Sequence, residues 1–146
     1  MKISTQQIAD QVRRNLVALI SLVIAITSLG YNTWRNEVSE HNRTQRFGAF
    51  ETLLLLGELE QLTFDAHYGD GQPQAFTRKG WATVRTVRDI AMIIDQPVPD
   101  AADTLHATWS LHSGGLGSES DDSVDAIREA IAATRAATRE ALLALE

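Results

Sequence analysis

Residues 15–34 most constrain what this chain can fold into, because they form a run of 20 residues without a charge. At about 1.5 Å per residue, a helix of that length spans roughly 30 Å, the thickness of a bilayer's hydrocarbon core. Each Leu, Ile or Val near the middle favours insertion by about 0.3–0.6 kcal/mol. The run predicts one transmembrane helix, and its nine aliphatic residues are Leu16, Val17, Leu19, Ile20, Leu22, Val23, Ile24, Ile26 and Leu29.

Two other structures share this pattern. One is a helix buried in a soluble domain. The other is a cleaved signal peptide, since Arg13 and Arg14, the apolar run and the segment 28–30 resemble its basic, apolar and small-residue regions. We expect the segment to be retained as a signal anchor.

The residues that flank the run fit a membrane interface. Arg13 and Arg14 precede it, Arg35 follows it, and Tyr31 and Trp34 stand where an aromatic belt lies at the surface of a bilayer. A short basic N-terminal segment favours a cytoplasmic N-terminus. The expected location is therefore a bacterial inner membrane, with residues 35–146 in the periplasm or outside the cell.

Small and polar residues recur along one side of the predicted span. Spacings of three and four residues place them on one helix face, where small side chains let another helix approach closely and hydroxyls can bond across the contact. This predicts a helix contact with a copy of the same chain or with a larger membrane protein. Alanine and serine are also common in membrane helices without such a contact. The face consists of Ala18, Ser21, Ala25, Ser28 and Asn32.

The rest of the chain predicts an all-α fold. Residues 1–14 read as a short tail or interfacial helix, with Ser4 and Gln7 at capping-box spacing. No breaker follows the span for some distance, so the transmembrane helix should continue into a long first helix. Glycines and prolines then divide the residues after the span into the helices of a small acidic bundle outside the membrane. Its helices are predicted at about 35–68, 73–94, 100–112 and 120–146.

Apolar spacing predicts which face of each helix is buried. Leu53 to Leu56 point all round the first helix, so we expect it to be covered on more than one side, with Gly57 marking the close approach of another helix. The other helices each show a single stripe. These stripes are residues 76, 80, 84, 87, 91 and 94; residues 102, 105, 109 and 112; and residues 124, 127, 131, 134, 138, 141 and 145.

Charge and cysteine content exclude several classes of function. The chain has no cysteine, which excludes disulfides and thiol chemistry and fits a bacterial protein on either side of the membrane. Residues 36–146 contain nine Lys and Arg against eighteen Asp and Glu, a balance of −9. An acidic domain is a poor partner for nucleic acid. The basic residues of the second helix, at 78, 79, 85 and 88, read as a solvated face that balances nearby acids or as a site for an acidic partner surface.

No catalytic, cofactor or metal constellation stands out. Asp103 and His106 share a helix face, but a lone pair at this spacing arises often by chance. No nucleophile motif and no phosphate-binding glycine loop is present. The chain is therefore expected not to be an enzyme, and no cofactor or metal is predicted.

Three functions fit this organisation. The first is a structural or accessory subunit that associates with itself or docks on a larger membrane complex, with lipid around its span. The second is an extracytoplasmic sensory or ligand-binding bundle that signals through a partner; its architecture alone resembles the outer domains of chemoreceptors. The third is a tethered adhesion or envelope-spacing protein.

Overall fold

The computed structural model describes residues 5–69, 73–117 and 121–145, with side chains from residue 10 onward. This part of the chain is helical and contains no strand, which confirms the predicted all-α class. Its elements are α1 (Thr5–Tyr68), α2 (Pro73–Ala91), α3 (Val98–His112), a 3₁₀ turn (Ser113–Gly115) and α4 (Asp122–Leu143).

The first helix is continuous, as predicted, and residues 5–14 belong to it. It contributes to two compact units, one formed by residues up to His41 and the other by residues from Asn42 onward. The predicted capping residue Ser4 lies outside the described residues. Within those residues, α1 is the one helix long and apolar enough to cross a membrane, with a mean hydropathy of 1.8 over a window that is 0% buried.

The second unit has its core between one face of α1 and the other three helices. Successive residues along the buried face of α1 are separated by four and three positions alternately. This is the spacing of a helix that packs along a single seam. We call it the inner seam. It consists of Gln45, Ala49, Thr52, Leu56, Leu59, Thr63 and Ala66.

The stripes predicted for the other helices face this core. On α2, Gly80, Val84, Val87 and Ala91 are buried, and on α3 so are Ala102, Leu105 and Trp109. The seam of α4 is buried from Val124 to Ala141, including two threonines whose hydroxyls bond to carbonyls of their own helix. Periodicity therefore identified the packed face of these three helices correctly.

Gly80 is required by the packing of Trp109. A Cβ atom at Gly80 would collide with the six-membered part of the Trp109 indole, which is fully buried. The indole therefore lies against bare backbone of α2, and this contact fixes the separation between α2 and α3. Sequence placed both residues on buried faces without showing that they touch.

The end of α2 is set by a side chain from α1. The predicted helix reached residue 94, but α2 ends at Ala91. The buried amide of Gln45 donates to the carbonyl of Ile93 at 3.2 Å and accepts from the backbone N–H of Asp95 at 2.9 Å. Because these backbone groups find partners outside the helix, the chain can turn there without leaving them unsatisfied.

Two further boundaries shift slightly. Helix α3 begins at Val98, two residues before the predicted start, and Pro99 lies in its first turn, where a missing N–H costs nothing. Helix α4 begins at Asp122, with Asp122 and Asp125 in its first turn beside the positive end of the helix dipole.

Ion pairs join the helices of the second unit at its surface. Lys79 of α2 binds Glu58 of α1 at 2.8 Å, and Arg135 of α4 binds Glu60 of α1 at 2.7 Å. Two residues of the predicted basic face of α2 thus balance neighbouring acids: Lys79 and Arg88, whose guanidinium lies 2.6 Å from Asp103 of α3.

Candidate interaction surfaces

The uncharged run forms a helix whose apolar side chains are exposed all the way round. The nine aliphatic residues between Leu16 and Leu29 have exposed fractions of 50–69%. They lie on every side of the helix, so no face is reserved for a core. A soluble core helix would be mostly buried, and this segment is not.

The five residues of the small-residue face, from Ala18 to Asn32, are also exposed in the first unit. Since α1 is a regular helix here, their spacing places them along one side. No side chain among the described residues covers them. Whether a helix packs on this face remains a prediction.

The predicted interface residues stand near the two ends of the run. Arg13, Arg14 and Arg35 are exposed, and about 31 Å of helix separates the second arginine from the third. At the C-terminal end, the rings of Tyr31 and Trp34 lie 6.0 Å apart at an interplanar angle of 48°. This arrangement suits a helix whose charged and aromatic ends meet the two surfaces of a bilayer.

Threonine hydroxyls in and near the run are satisfied within the helix. Thr27 donates to the carbonyl of Val23 at 2.8 Å, and Thr33 donates to that of Leu29 at 3.0 Å. An unpaired hydroxyl in an apolar medium would cost free energy. The bonds therefore reduce the cost of placing these polar side chains in lipid.

A second apolar surface lies on the part of α1 that belongs to the bundle. The leucine-rich segment was expected to be covered on more than one side. Among the described residues, the inner seam is buried, Leu62 beside it is 6% exposed, and Leu55 packs partly buried against the core, but the opposite side of the helix is open. The opposite side bears large apolar residues with exposed fractions of 53–69%. Together with Gly57 and Gln61, which lie between them in the same row, these residues form a surface that we call the outer stripe. It consists of Phe47, Phe50, Leu54, Gly57, Gln61, Phe64 and Tyr68.

The centre of the outer stripe is open. Nothing among the described residues lies within 4 Å of the position a Cβ would take at Gly57, so none of the described helices makes the close approach that the glycine suggested. A groove of about 320 Å³ runs beside it, lined by Gln61 and Phe64 of α1 and by Val124 and Arg128 of α4, among others. The outer stripe therefore combines exposed apolar side chains with a groove beside them.

Sequence reasoning missed the outer stripe, although its signal is present. Its members follow spacings of three and four residues, as do those of the inner seam, but on the opposite side of the helix. Four successive leucines, from Leu53 to Leu56, point in all directions around the helix, so the sequence looks apolar on every side and the two rows are hard to tell apart. Separating the two phases would have predicted two faces, though not which one the chain itself covers.

A polar cluster joins the end of α1 to the start of α4. His67 Nε2 lies 2.8 Å from an Asp121 carboxylate oxygen, and the Tyr68 hydroxyl donates to the same oxygen at 3.3 Å. Partial burial, and then the Asp121 carboxylate, raise the pKa of Tyr68 above its ordinary value of 10.0. The phenol stays protonated at neutral pH, and the cluster fastens the two helix ends together.

The residues that could have formed a metal pair have other contacts. Asp103 accepts a hydrogen bond from Arg88, and the ring of His106 packs edge-on against Trp81 at 5.6 Å. Within residues 5–69, 73–117 and 121–145, no group of three or more His, Cys, Asp or Glu residues could hold a metal ion.

Comparison of the chain with models of known protein families, with curated proteins and with solved structures finds no match to any of them.

Proposed function

We propose that this chain is a non-enzymatic, single-pass membrane protein that acts as a structural or accessory subunit, by associating with itself or by docking on a larger membrane complex. The observation that carries the proposal is the exposure of the nine aliphatic side chains in residues 15–34, each at least half exposed. An apolar surface of this extent marks a site of contact with lipid or protein.

Lipid accounts for this exposure better than a protein partner alone. A docking helix needs one apolar face, whereas this segment is apolar on all sides. Its length, its arginine flanks, its aromatic pair and its internally bonded threonines are each what a bilayer requires. One helix of the described residues meets these requirements, and it lies near the N-terminus.

The orientation that we propose follows from charge. Basic residues before the span hold the N-terminus in the cytoplasm, and the acidic bundle lies on the other side of a bacterial inner membrane, in the periplasm or outside the cell. A bundle with a balance of −9 is repelled by anionic lipid. It is therefore free to meet protein partners in water.

The contact that we propose in the membrane uses the small-residue face from Ala18 to Asn32. Lipid tails are as apolar as leucine, so helices associate in bilayers through close packing and hydrogen bonds. The neighbour is either a second copy of this chain or a helix of a larger membrane protein. Both arrangements make the protein a component of an assembly.

A substitution on this face tests the contact. Ala25→Leu should weaken association in membranes because it fills the space that a neighbouring helix needs. Val23→Phe is the matched control: it adds comparable bulk two residues earlier, about 200° around the helix from Ala25. The measurement is the native mass of the full chain, and of whatever co-purifies with it, after extraction in mild detergent.

The outcomes separate the two modes of assembly. A mass of two or more chains that falls with Ala25→Leu but persists with Val23→Phe supports self-association. A stable complex with other membrane proteins, lost in the same variant, supports the docking role. A monomer that brings down nothing, with both variants alike, would refute the proposal.

A further inference from the structure

We propose that the outer stripe of α1, from Phe47 to Tyr68, is the surface on which a second copy of this chain packs, with the two α1 segments side by side and parallel. This inference rests on the proposed function, because it names self-association as the mode of assembly. It adds a second, extramembrane contact surface, distinct from the small-residue face.

The spacing of the outer stripe is that of a coiled-coil seam. Its seven members are separated by three and four residues in strict alternation over three heptads. In heptad notation, residues 47, 54, 61 and 68 take the a positions, and residues 50, 57 and 64 take the d positions. The inner seam shows the same alternation and is packed against the other helices of the chain. The outer stripe repeats that spacing, but its large side chains are 53–69% exposed.

Membrane insertion fixes the direction of pairing. Copies inserted with the same orientation form a closed pair only about a two-fold axis normal to the membrane. Residues on such an axis meet their own counterparts. Phe50 then faces Phe50 of the partner subunit, and Phe64 faces the partner's Phe64, as in a parallel coiled coil.

The stripe has enough area for such a contact. Its five large side chains are 53–69% exposed. Since a large aromatic side chain has about 150–250 Å² to bury, each leaves roughly 100 Å² uncovered. Five of them present about 500 Å² on each copy, or about 1,000 Å² over a pair. That total reaches the size at which a specific interface begins, before the flanking residues are included.

Charges beside the stripe are compatible with pairing. Arg46 takes a g position and Glu51 the following e position, which lie next to each other across a parallel pair and attract. Arg46 donates from one nitrogen to the carbonyl of Leu145 at 3.1 Å and has further donors to offer. Further along, Glu60 takes a g position and Asp65 the following e position, so two acids face each other there. Glu60 already binds Arg135, and Glu58 binds Lys79, which reduces the repulsion.

The two small or polar members of the stripe suit a helix pair. Gly57 has no side chain and open space before it, which lets two backbones approach. Gln61 lies at an a position, where a polar side chain that pairs with its counterpart fixes register at some cost in stability. An apolar surface meant for lipid would need neither feature.

Disulfide trapping in the full chain tests the inference, because the chain has no cysteine of its own. Leu54→Cys and Gly57→Cys place thiols on the proposed axis, where Cα atoms of the two copies lie close enough for a bond. Leu111→Cys is the matched control, since Leu111 is an exposed apolar residue on another helix. Ala25→Cys tests whether the chains associate through the small-residue face within residues 15–34. Each variant is oxidised in membranes and the fraction of dimer is measured.

We expect dimer from Leu54→Cys and Gly57→Cys at least about fivefold above that from Leu111→Cys. Adding Phe50→Asp should remove this excess, and circular dichroism would verify that the half-exposed site still allows folding. Trapping at Ala25→Cys with none at positions 54 and 57 would overturn this inference while leaving the proposed function intact. Equal trapping at positions 54 and 111, or trapping of the stripe to a different protein, would also overturn it.

Discussion

The two leucine-rich parts of α1 differ in how their apolar residues are arranged, although both are rich in aliphatic side chains. In residues 15–34 the apolar residues surround the helix and none is buried, whereas in residues 45–66 they include a seam that is almost entirely enclosed. The arrangement around the helix, more than the amount of apolar surface, distinguishes a segment that needs an apolar solvent from one that builds a core.

The outer stripe lies between these two cases. Phe47, Phe50, Leu54, Phe64 and Tyr68 belong to the bundle segment, yet they are as exposed as the side chains of the span. They follow a single row, so one partner helix could cover them. The comparison thus separates three environments for apolar residues on one helix: the lipid that we propose around residues 15–34, the chain's own core, and the surface we assign to a second copy.

The largest effect is expected from removing the side chain that fills the core. Trp109→Ala should destabilise the bundle by about 3–5 kcal/mol, because a fully buried indole leaves a cavity against Gly80. The measurement is urea unfolding of the full chain in detergent, followed by circular dichroism. Trp34→Ala, which removes an exposed indole from the other unit, is the control and should leave the midpoint unchanged. Similar midpoints for the two variants would contradict the claim that Trp109, unlike Trp34, is part of a packed core.

The reciprocal change targets the span. Ile24→Arg should make membrane insertion less favourable by about 3–4 kcal/mol, since it replaces a favourable residue by a charge at the helix centre. Val38→Arg introduces the same charge at an exposed position beyond the run and should have little effect. The fraction of protein that resists alkaline extraction from membranes measures this. Equal extraction of the two variants would argue against a lipid-embedded segment.

The smallest effect is expected from alanine substitutions at two glycines of the bundle. Gly57→Ala should stabilise the fold by about 0.5–1 kcal/mol, because the site is helical and open. Gly80→Ala should destabilise it, because its Cβ would meet Trp109. Unfolding midpoints of the two variants, measured at a protein concentration low enough to keep the chain monomeric, should move in opposite directions. A shift in the same direction would show that the contact with Trp109 does not set the spacing of α2 and α3.

Much of the fold could be predicted from sequence because each of its helices has a clear period and clear breaks. The packed faces of α2, α3 and α4 follow from single apolar stripes, and glycine and proline mark the connections. The end of α2 could not be predicted, because it depends on Gln45, a residue 48 positions away from the carbonyl that it binds. Such contacts between distant residues are not visible in a local pattern.

The candidate surfaces were predicted unevenly for a similar reason. The small-residue face and the interface residues lie in a short segment whose chemistry is local, and they could be named directly. The outer stripe required knowing which of two apolar rows the other helices would cover. Gly57 was expected to mark the close approach of another helix, and its open surroundings became visible only once the helices were assembled.

The most direct test of the central claim, that lipid surrounds residues 15–34, is the reactivity of single cysteines introduced into this cysteine-free chain. Val12→Cys, Ile24→Cys and Val38→Cys are exposed to a membrane-impermeant maleimide, first in opened native membranes and then in detergent with denaturant. If lipid surrounds residues 15–34, positions 12 and 38 react in both conditions and position 24 reacts only after denaturation. Reaction at all three positions in native membranes, or recovery of the chain as a soluble protein with position 24 protected in its interior, would contradict the claim.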